Sequence, residues 1–472
     1  MYFKQRENAL SKARFLVLIF LISGLFLNLQ AQTQVAVNTS SEEKKVTESV
    51  KTEPVKMFVV SVLPNYYSQT DGIPLAEIVR RAFENNGEIK IARLEVEKAQ
   101  ARLTQAGLRA NPTLEIEQTS GGLVGNRGNG EISVGVSVPL DIYNQKQRRI
   151  DLAQAEITLK EAEISYRQRL LANEIFINYA EALAALREVQ ILEELLELDT
   201  ETVRFVQIRV NEGDTAPLEL NLLQTEVERL RARRQLIEGR LQAAISKLKF
   251  FANVPFEEPL KLREEITTAK FLNVPATLET SLAVALKNRP EIRLAELEEE
   301  LASAGLRLIR AQSKPDFTAY TRFTQGRSTI DLPNGDFPQG RDRSLTFGIA
   351  IGLPIFNKNQ GAKAEAEIAI RQAQERRIFA EQIIRNEIVT AFQRIEAANR
   401  ALTTLETAVL PRSRENIETI KKVYEIGELK ITDLIAEQRR LLDANRDLTE
   451  TLTERYRAQA DLFIALGIAL EN

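Results

Sequence analysis

Cysteine, histidine and tryptophan are absent from all 472 residues, and methionine occurs only twice. Their absence removes disulfides, thiol nucleophiles, the commonest proton shuttle and the soft ligands that hold copper or zinc. What is left gives a metalloenzyme or a triad hydrolase no conventional starting point, and no cofactor is expected. Charge of one sign is lacking too. The net charge is −3, and basic residues interleave with acidic ones, so no basic face for nucleic acid is present. Beyond the N-terminus no apolar run approaches the roughly 20 residues of a membrane-spanning helix. If the chain enters a membrane, it does so as strands.

The N-terminus carries Lys4, Arg6, Lys12 and Arg14, then FLVLIFLISGLFL over 15–27. A basic region followed by a short apolar core reads as a secretory signal peptide over 1–31. With no cysteine, the mature end is expected to carry no lipoprotein-type diacyl group. Residues 32–70 begin with a polar, Ser/Thr-rich stretch without periodicity and are expected to form a flexible leader.

Past the leader the chain repeats itself. The segment beginning LAEIVRRAF at Leu75 aligns without gaps, at an offset of 203, with LETSLAVAL at Leu278, bringing Ala82 onto Ala285, Ile89 onto Ile292 and Pro112 onto Pro315. Further on, Gly213 in VNEGDTAPLEL meets Gly427 in YEIGELKITDL at an offset of 214. Two copies of one unit are therefore expected, 71–252 and 276–470, joined by a proline-containing linker over 253–275.

Each copy predicts the same order of elements. A helix ends at the proline, and a strand pair follows. The strands are 113–119 with 132–138, and 317–323 with 345–353, with a loop expected around 326–342. The last strand, LTFGIAIGL, alternates Leu345, Phe347, Ile349, Ile351 and Leu353 with Thr346, Gly348, Ala350 and Gly352. Such a period of two makes one greasy face and one small, unobstructed face.

Long helices come next. Neither proline nor glycine interrupts 144–210, and Ile150, Ile157, Ile164 and Leu171 recur every seventh residue, as do Leu223, Leu230 and Ile237, and Leu434, Leu441 and Leu448. Heptads over such lengths predict coiled-coil packing, with Gly213 and Gly427 turning two helical hairpins and Pro411 disturbing the second. The fold class is thus mainly α with a β portion of four strands. In water the apolar strand faces would have to pack on one another. In a bilayer every backbone group must be paired, so four strands work only by closing a barrel with other chains. On that reading Glu115, Glu117, Ser133, Ser137, Arg322 and Thr346 face the pore.

Nothing in the chain supports catalysis. The glycine-rich GGLVGNRGNG lies between two strands, not before a helix, and reads as a hairpin loop rather than a phosphate cradle. Paired carboxylates such as Glu298 and Glu300 lie on charged helices, where a solvated face explains them. Glu219 and Asp433 stand just beyond the two hairpin turns, where either one alone is accounted for by the helix dipole.

The segments NNGEIKIARLEVEKAQARLTQAGLRANPTLE and NRPEIRLAELEEELASAGLRLIRAQSKPDFT, the passages VPLDIYNQKQ and LPIFNKNQG, and the two glycine turns together resemble the TolC-like outer-membrane efflux proteins. The resemblance covers about 70–470. It implies a homotrimer in the outer-membrane lipid, with a twelve-stranded β-barrel built from four strands per chain and a helical tunnel reaching into the periplasm. It also implies a tripartite efflux partnership with a periplasmic membrane-fusion adaptor and an inner-membrane pump, of the RND type. By match, adaptor contact falls on Arg209, Asn211, Gly213, Tyr424 and Gly427. A periplasmic gate falls on Asp433, with Glu219 its counterpart, although the next acidic position of the family pattern is Ala436 here. LPIFNKNQG leans to the heavy-metal-cation branch, with small solutes, metal cations or drugs as cargo. The alternative is a periplasmic coiled-coil scaffold or adaptor without a pore, which would carry one hairpin and small β-domains.

Overall fold

A computed structural model describes residues 61–120, 130–269, 275, 277–333 and 335–467. The signal peptide, the leader up to residue 60 and most of the glycine-rich loop lie outside them. Two short helices open the first half, α1 (Leu63–Tyr66) and α2 (Leu75–Asn85), followed by α3 (Gly87–Ala106). Strands β1 (Thr113–Ser120) and β2 (Gly130–Leu140) lead to α4 (Gln145–Glu212) and α5 (Pro217–Ala252). The second half runs α6 (Leu278–Asn288), α7 (Pro290–Gln312), β3 (Asp316–Leu332), β4 (Gly335–Gly352), α8 (Gln360–Thr404), α9 (Leu410–Glu425) and α10 (Ile431–Ala465). No described helix is long and apolar enough to cross a membrane.

Helix α4 runs unbroken for 68 residues, about 100 Å at 1.5 Å per residue. Its counterpart does not. Between α8 and α9 the backbone widens to a π-helical stretch, Leu405–Val409, immediately before Pro411. Pro411 has no N–H to donate into the previous turn, and a single wide turn absorbs the missing bond. The heptad positions form the helical seams: Leu223, Leu230, Ile237, Leu434 and Leu448 are buried, while at Leu441 the neighbouring Leu442 takes the buried place.

Both strand-to-helix passages use the same device. Asn144 and Asn359 precede α4 and α8 with φ of 55° and 54°, a left-handed conformation that asparagine tolerates better than most residues. Asp141 then accepts hydrogen bonds from the backbone N–H of Gln145 and Lys146, satisfying two donors that the helix start leaves unpaired.

Two expectations need correction. Residues 61–70, assigned to the flexible leader, are folded. Ser61 and the Val62 backbone N–H donate to the buried Glu193 carboxylate on α4, and Leu262 exchanges backbone hydrogen bonds with Tyr66 and Ser68. Residues 253–269 pack in turn, with Leu260, Leu262 and Ile266 buried. The second strand pair is also far longer than expected: β3 has 17 residues and β4 has 18, and they pair through most of 326–342, where a loop was expected. Charged residues on both faces there, Arg327 and Arg341 on one and Asp342 on the other, remove the period-two signal.

Candidate functional site

The four strands form one antiparallel sheet in the order β1-β2-β3-β4. Its register sorts the side chains sharply. Glu115, Gly135, Arg322 and Thr346 stand in one cross-strand row, Glu117, Ser133, Thr324 and Ser344 in another, and Thr113, Ser137, Tyr320 and Gly348 in a third. All six residues expected to face a pore therefore share one face. The opposite face carries Leu114, Ile116, Val134, Val136, Phe323, Leu345, Phe347, Ile349 and Ile351, every one exposed, Phe347 by 76%. Successive residues on one face of a strand lie about 7 Å apart, so the apolar rows from Ile351 to Leu345 span about 20 Å. That is close to the height of the lipid-facing band of an outer-membrane barrel.

On the polar face Arg322 reaches across β2 to two residues of β1. Its guanidinium lies 3.0 Å from Glu115 and 3.7 Å from Glu117. Gly135, directly between Glu115 and Arg322 in the register, lets it pass: a Cβ there would sit 3.6 Å from Arg322 Nε and 3.4 Å from the Thr321 carbonyl. The expected unobstructed surface is interrupted at Gly348, where the Tyr320 ring occupies the space of a Cβ, 2.4 Å from its ideal position. Sequence alternation alone cannot show this, because the ring belongs to the neighbouring strand.

The two hairpin turns are built alike. Gly213 and Gly427 have φ of 85° and 84°. At each, the glycine N–H bonds the carbonyl three residues back (Val210, Tyr424), and the next N–H bonds the carbonyl five residues before it (Arg209, Val423). This is the Schellman ending of a helix, which a Cβ disfavours.

Between the turns, side chains from both hairpins meet. Arg209 donates to the Tyr424 carbonyl at 3.4 Å, its guanidinium lies 6.0 Å from the Tyr424 ring, and the Tyr424 hydroxyl donates to Glu219 at 3.1 Å. Burial, reinforced by the Glu219 charge, pushes the Tyr424 hydroxyl up to about 12, so it stays a donor at any ordinary pH. Gly427 adjoins the cluster, its notional Cβ 3.5 Å from Arg209.

Asn211 stays apart, accepting from Gln207 on its own helix. Asp433 is exposed and accepts from the Lys430 N–H, capping α10. Among the described residues no hydrogen bond or ion pair joins it to Glu219.

One polar site in the helices escaped the sequence reading. Asp199 on α4 is 1% exposed and accepts from Gln438 of α10 at 2.5 Å. Burial first, then the Glu226 charge, raises its carboxyl to about 6 against the pull of the Gln438 hydrogen bond. Glu226 is in turn held by Arg439 at 2.5 Å, with Arg229 at 3.7 Å. The signal was available: Leu192, Asp199 and Val206 recur every seventh residue, placing one acid in an apolar seam. Among the described residues no group of three or more acidic side chains is disposed to hold a metal ion.

The chain resembles known proteins over most of its length. It is 23% identical over 399 residues to the cation efflux system protein CusC of Escherichia coli K12, covering 83% of this chain and 85% of that one. It is 19% identical over 412 residues to the cobalt-zinc-cadmium resistance protein CzcC of Cupriavidus metallidurans, covering 86% and 93%. A crystal structure of CusC superposes with a TM-score of 0.67 at 20% identity, covering 87% of this chain and 95% of that one. The fold is that of the TolC-like channels. The model of the outer membrane efflux protein family matches residues 78–251 and 282–468, and the chain belongs to that family.

Proposed function

We propose that three copies of this chain close a twelve-stranded barrel in the outer membrane and serve as the exit duct of a tripartite efflux system. The observation that carries this is the sheet itself. Its apolar face is exposed, its polar face carries charges, and β1 and β4 each have an unpaired edge among the described residues. A lipid environment tolerates neither open edges nor an isolated four-stranded sheet, and closure with neighbouring copies satisfies both. A water-exposed scaffold would leave the same apolar face uncovered.

The helical hairpins then form the periplasmic conduit, and their turns meet the adaptor that joins the duct to an inner-membrane pump of the RND type. Arg209, Asn211, Gly213 and Gly427 supply that contact; Tyr424, expected there too, is 2% exposed and instead braces the turn from beneath. The Arg209–Tyr424–Glu219 cluster ties the hairpins together at the entrance, and three exposed Asp433 side chains ring it. Metal cations are the favoured cargo, by analogy with the cation-efflux proteins it resembles. With neither histidine nor cysteine in the chain, no imidazole or thiolate holds the cations as they pass.

Conductance of the purified full-length protein in a planar bilayer tests the proposal. Stepwise single-channel currents from a heat-modifiable trimer are expected. A trimer that never conducts, or a monomer in detergent, overturns it.

A further inference from the structure

The end of the sheet remote from the helices segregates its charges by face. In the row after Leu345, Phe323, Val134 and Ile116, the apolar face carries Arg343 opposite Gln325, and in the next row Arg341 is the direct cross-strand partner of Arg327. At the same level the polar face carries Asp342 and Glu131, on either side of Gly326. The three arginines are exposed, and none pairs with a carboxylate among the described residues. Like charges directly opposed on a sheet, with Cβ atoms about 5 Å apart, repel. Positioned as they are, the arginines continue the greasy band and face away from Asp342 and Glu131.

From this geometry we propose that Arg327, Arg341 and Arg343 form a binding site for the phosphate groups of a phosphorylated lipid in the outer leaflet. The inference rests on the barrel reading, which turns this face to the lipid and this end to the outside. A phosphate supplies the anion that the Arg327–Arg341 pair lacks, and the guanidinium fork matches phosphate oxygens in a bidentate way. The acyl chains lie against Leu345, Phe323 and Phe347, in the rows just below. Both parts of one amphiphile are thus accommodated by adjoining parts of one surface.

The test uses the full-length trimer in detergent, offered lipid A bearing two phosphates or the same lipid dephosphorylated. Native mass spectrometry counts the lipid retained. The parent protein is expected to favour the phosphorylated lipid by about tenfold or more, as charge-assisted contacts of this kind provide. The Arg327→Gln/Arg341→Gln/Arg343→Gln protein should lose that preference, the corresponding lysine protein should keep part of it, and Arg371→Gln on the helical surface should keep all of it. Equal retention of both lipids by the parent overturns the proposal, as does undiminished preference in the glutamine variant. Displacement by equimolar inorganic phosphate also overturns it, since that marks a free-anion site. If the triple variant does not assemble, the two-lipid comparison on the parent and on Arg341→Gln decides. Conductance of the parent in phosphatidylcholine alone separates the two readings: a conducting trimer without lipid preference sinks only this site, and a non-conducting trimer sinks the channel as well.

Discussion

At the scale of single residues, the cluster between the hairpin turns makes the sharpest expectation. Tyr424→Phe keeps the ring beneath Arg209 and removes only the hydrogen bond to Glu219. A hydrogen bond to a charged group contributes about 1.5–3 kcal/mol, so the open fraction of the entrance should rise by roughly tenfold or more. Single-channel recording reads this directly, and an unchanged open fraction removes the cluster from gating. Asp199 makes a different expectation, in pH. Its carboxyl is about 6 in the folded chain and near 3.8 when unfolded, so the folded state holds the proton more tightly. Burying the charge therefore costs stability above pH 6, and the cost disappears as pH falls below about 4. Asp199→Asn abolishes the titration, and its amide can donate to the buried, otherwise unpaired Gln438 Oε1. The variant should melt above the parent at pH 7–8 and level with it at pH 4; a constant difference across that range refutes the assignment.

At the scale of elements, the legible parts of the chain are those where one physical constraint acts along consecutive residues. Helix α4 is legible because nothing in 144–210 can break it, and the turns are legible because glycine must take a positive φ there. The ends of β3 and β4 are not, because outside an apolar layer neither face needs to be greasy and the alternation vanishes. Nor is the Arg209–Tyr424–Glu219 cluster. Tyr424 lies more than 200 residues from both Arg209 and Glu219, and the repeat-equivalent positions of Arg209 and Tyr424 are Val423 and Val210, so internal symmetry gives no hint of the contact. The Tyr320 ring over Gly348 likewise depends on register between strands. The two faces of β4 should respond to substitution for different reasons. Phe347→Arg places a charge against lipid, at about 2–4 kcal/mol per copy near mid-bilayer, and trimers should fail to form. Gly348→Ser forces the Tyr320 ring aside, at about 1–3 kcal/mol for overpacking. Trimers should survive with a lower melting temperature, and adding Tyr320→Ala should restore it. Semi-native gel migration distinguishes the two, and equal tolerance at both positions contradicts the face assignment.

At the scale of the whole molecule, three chains multiply whatever charge the polar face of the sheet carries. Among the described residues that face holds Glu115, Glu117, Glu131, Asp316 and Asp342 against a single arginine, Arg322. The position of Arg322 makes it count, because it neutralises two carboxylates on β1 at once by lying across Gly135. These groups are 40–66% exposed, so the ion pairs add little to stability and their main effect is on the potential inside the barrel. Arg322→Gln changes the barrel charge by three units and frees six carboxylates in one narrow belt. Permeating cations should then be favoured more strongly. In a planar bilayer with a potassium chloride gradient, the reversal potential should move toward the potassium equilibrium value, and the shift should shrink at high salt as screening shortens the reach of the belt. Gly135→Val should act in the same direction with Arg322 still present, since its side chain fills the path the guanidinium takes to β1. If both variants leave the reversal potential where it was, while trimers and conductance persist, the selectivity of the duct is set at the helical entrance and not in the barrel.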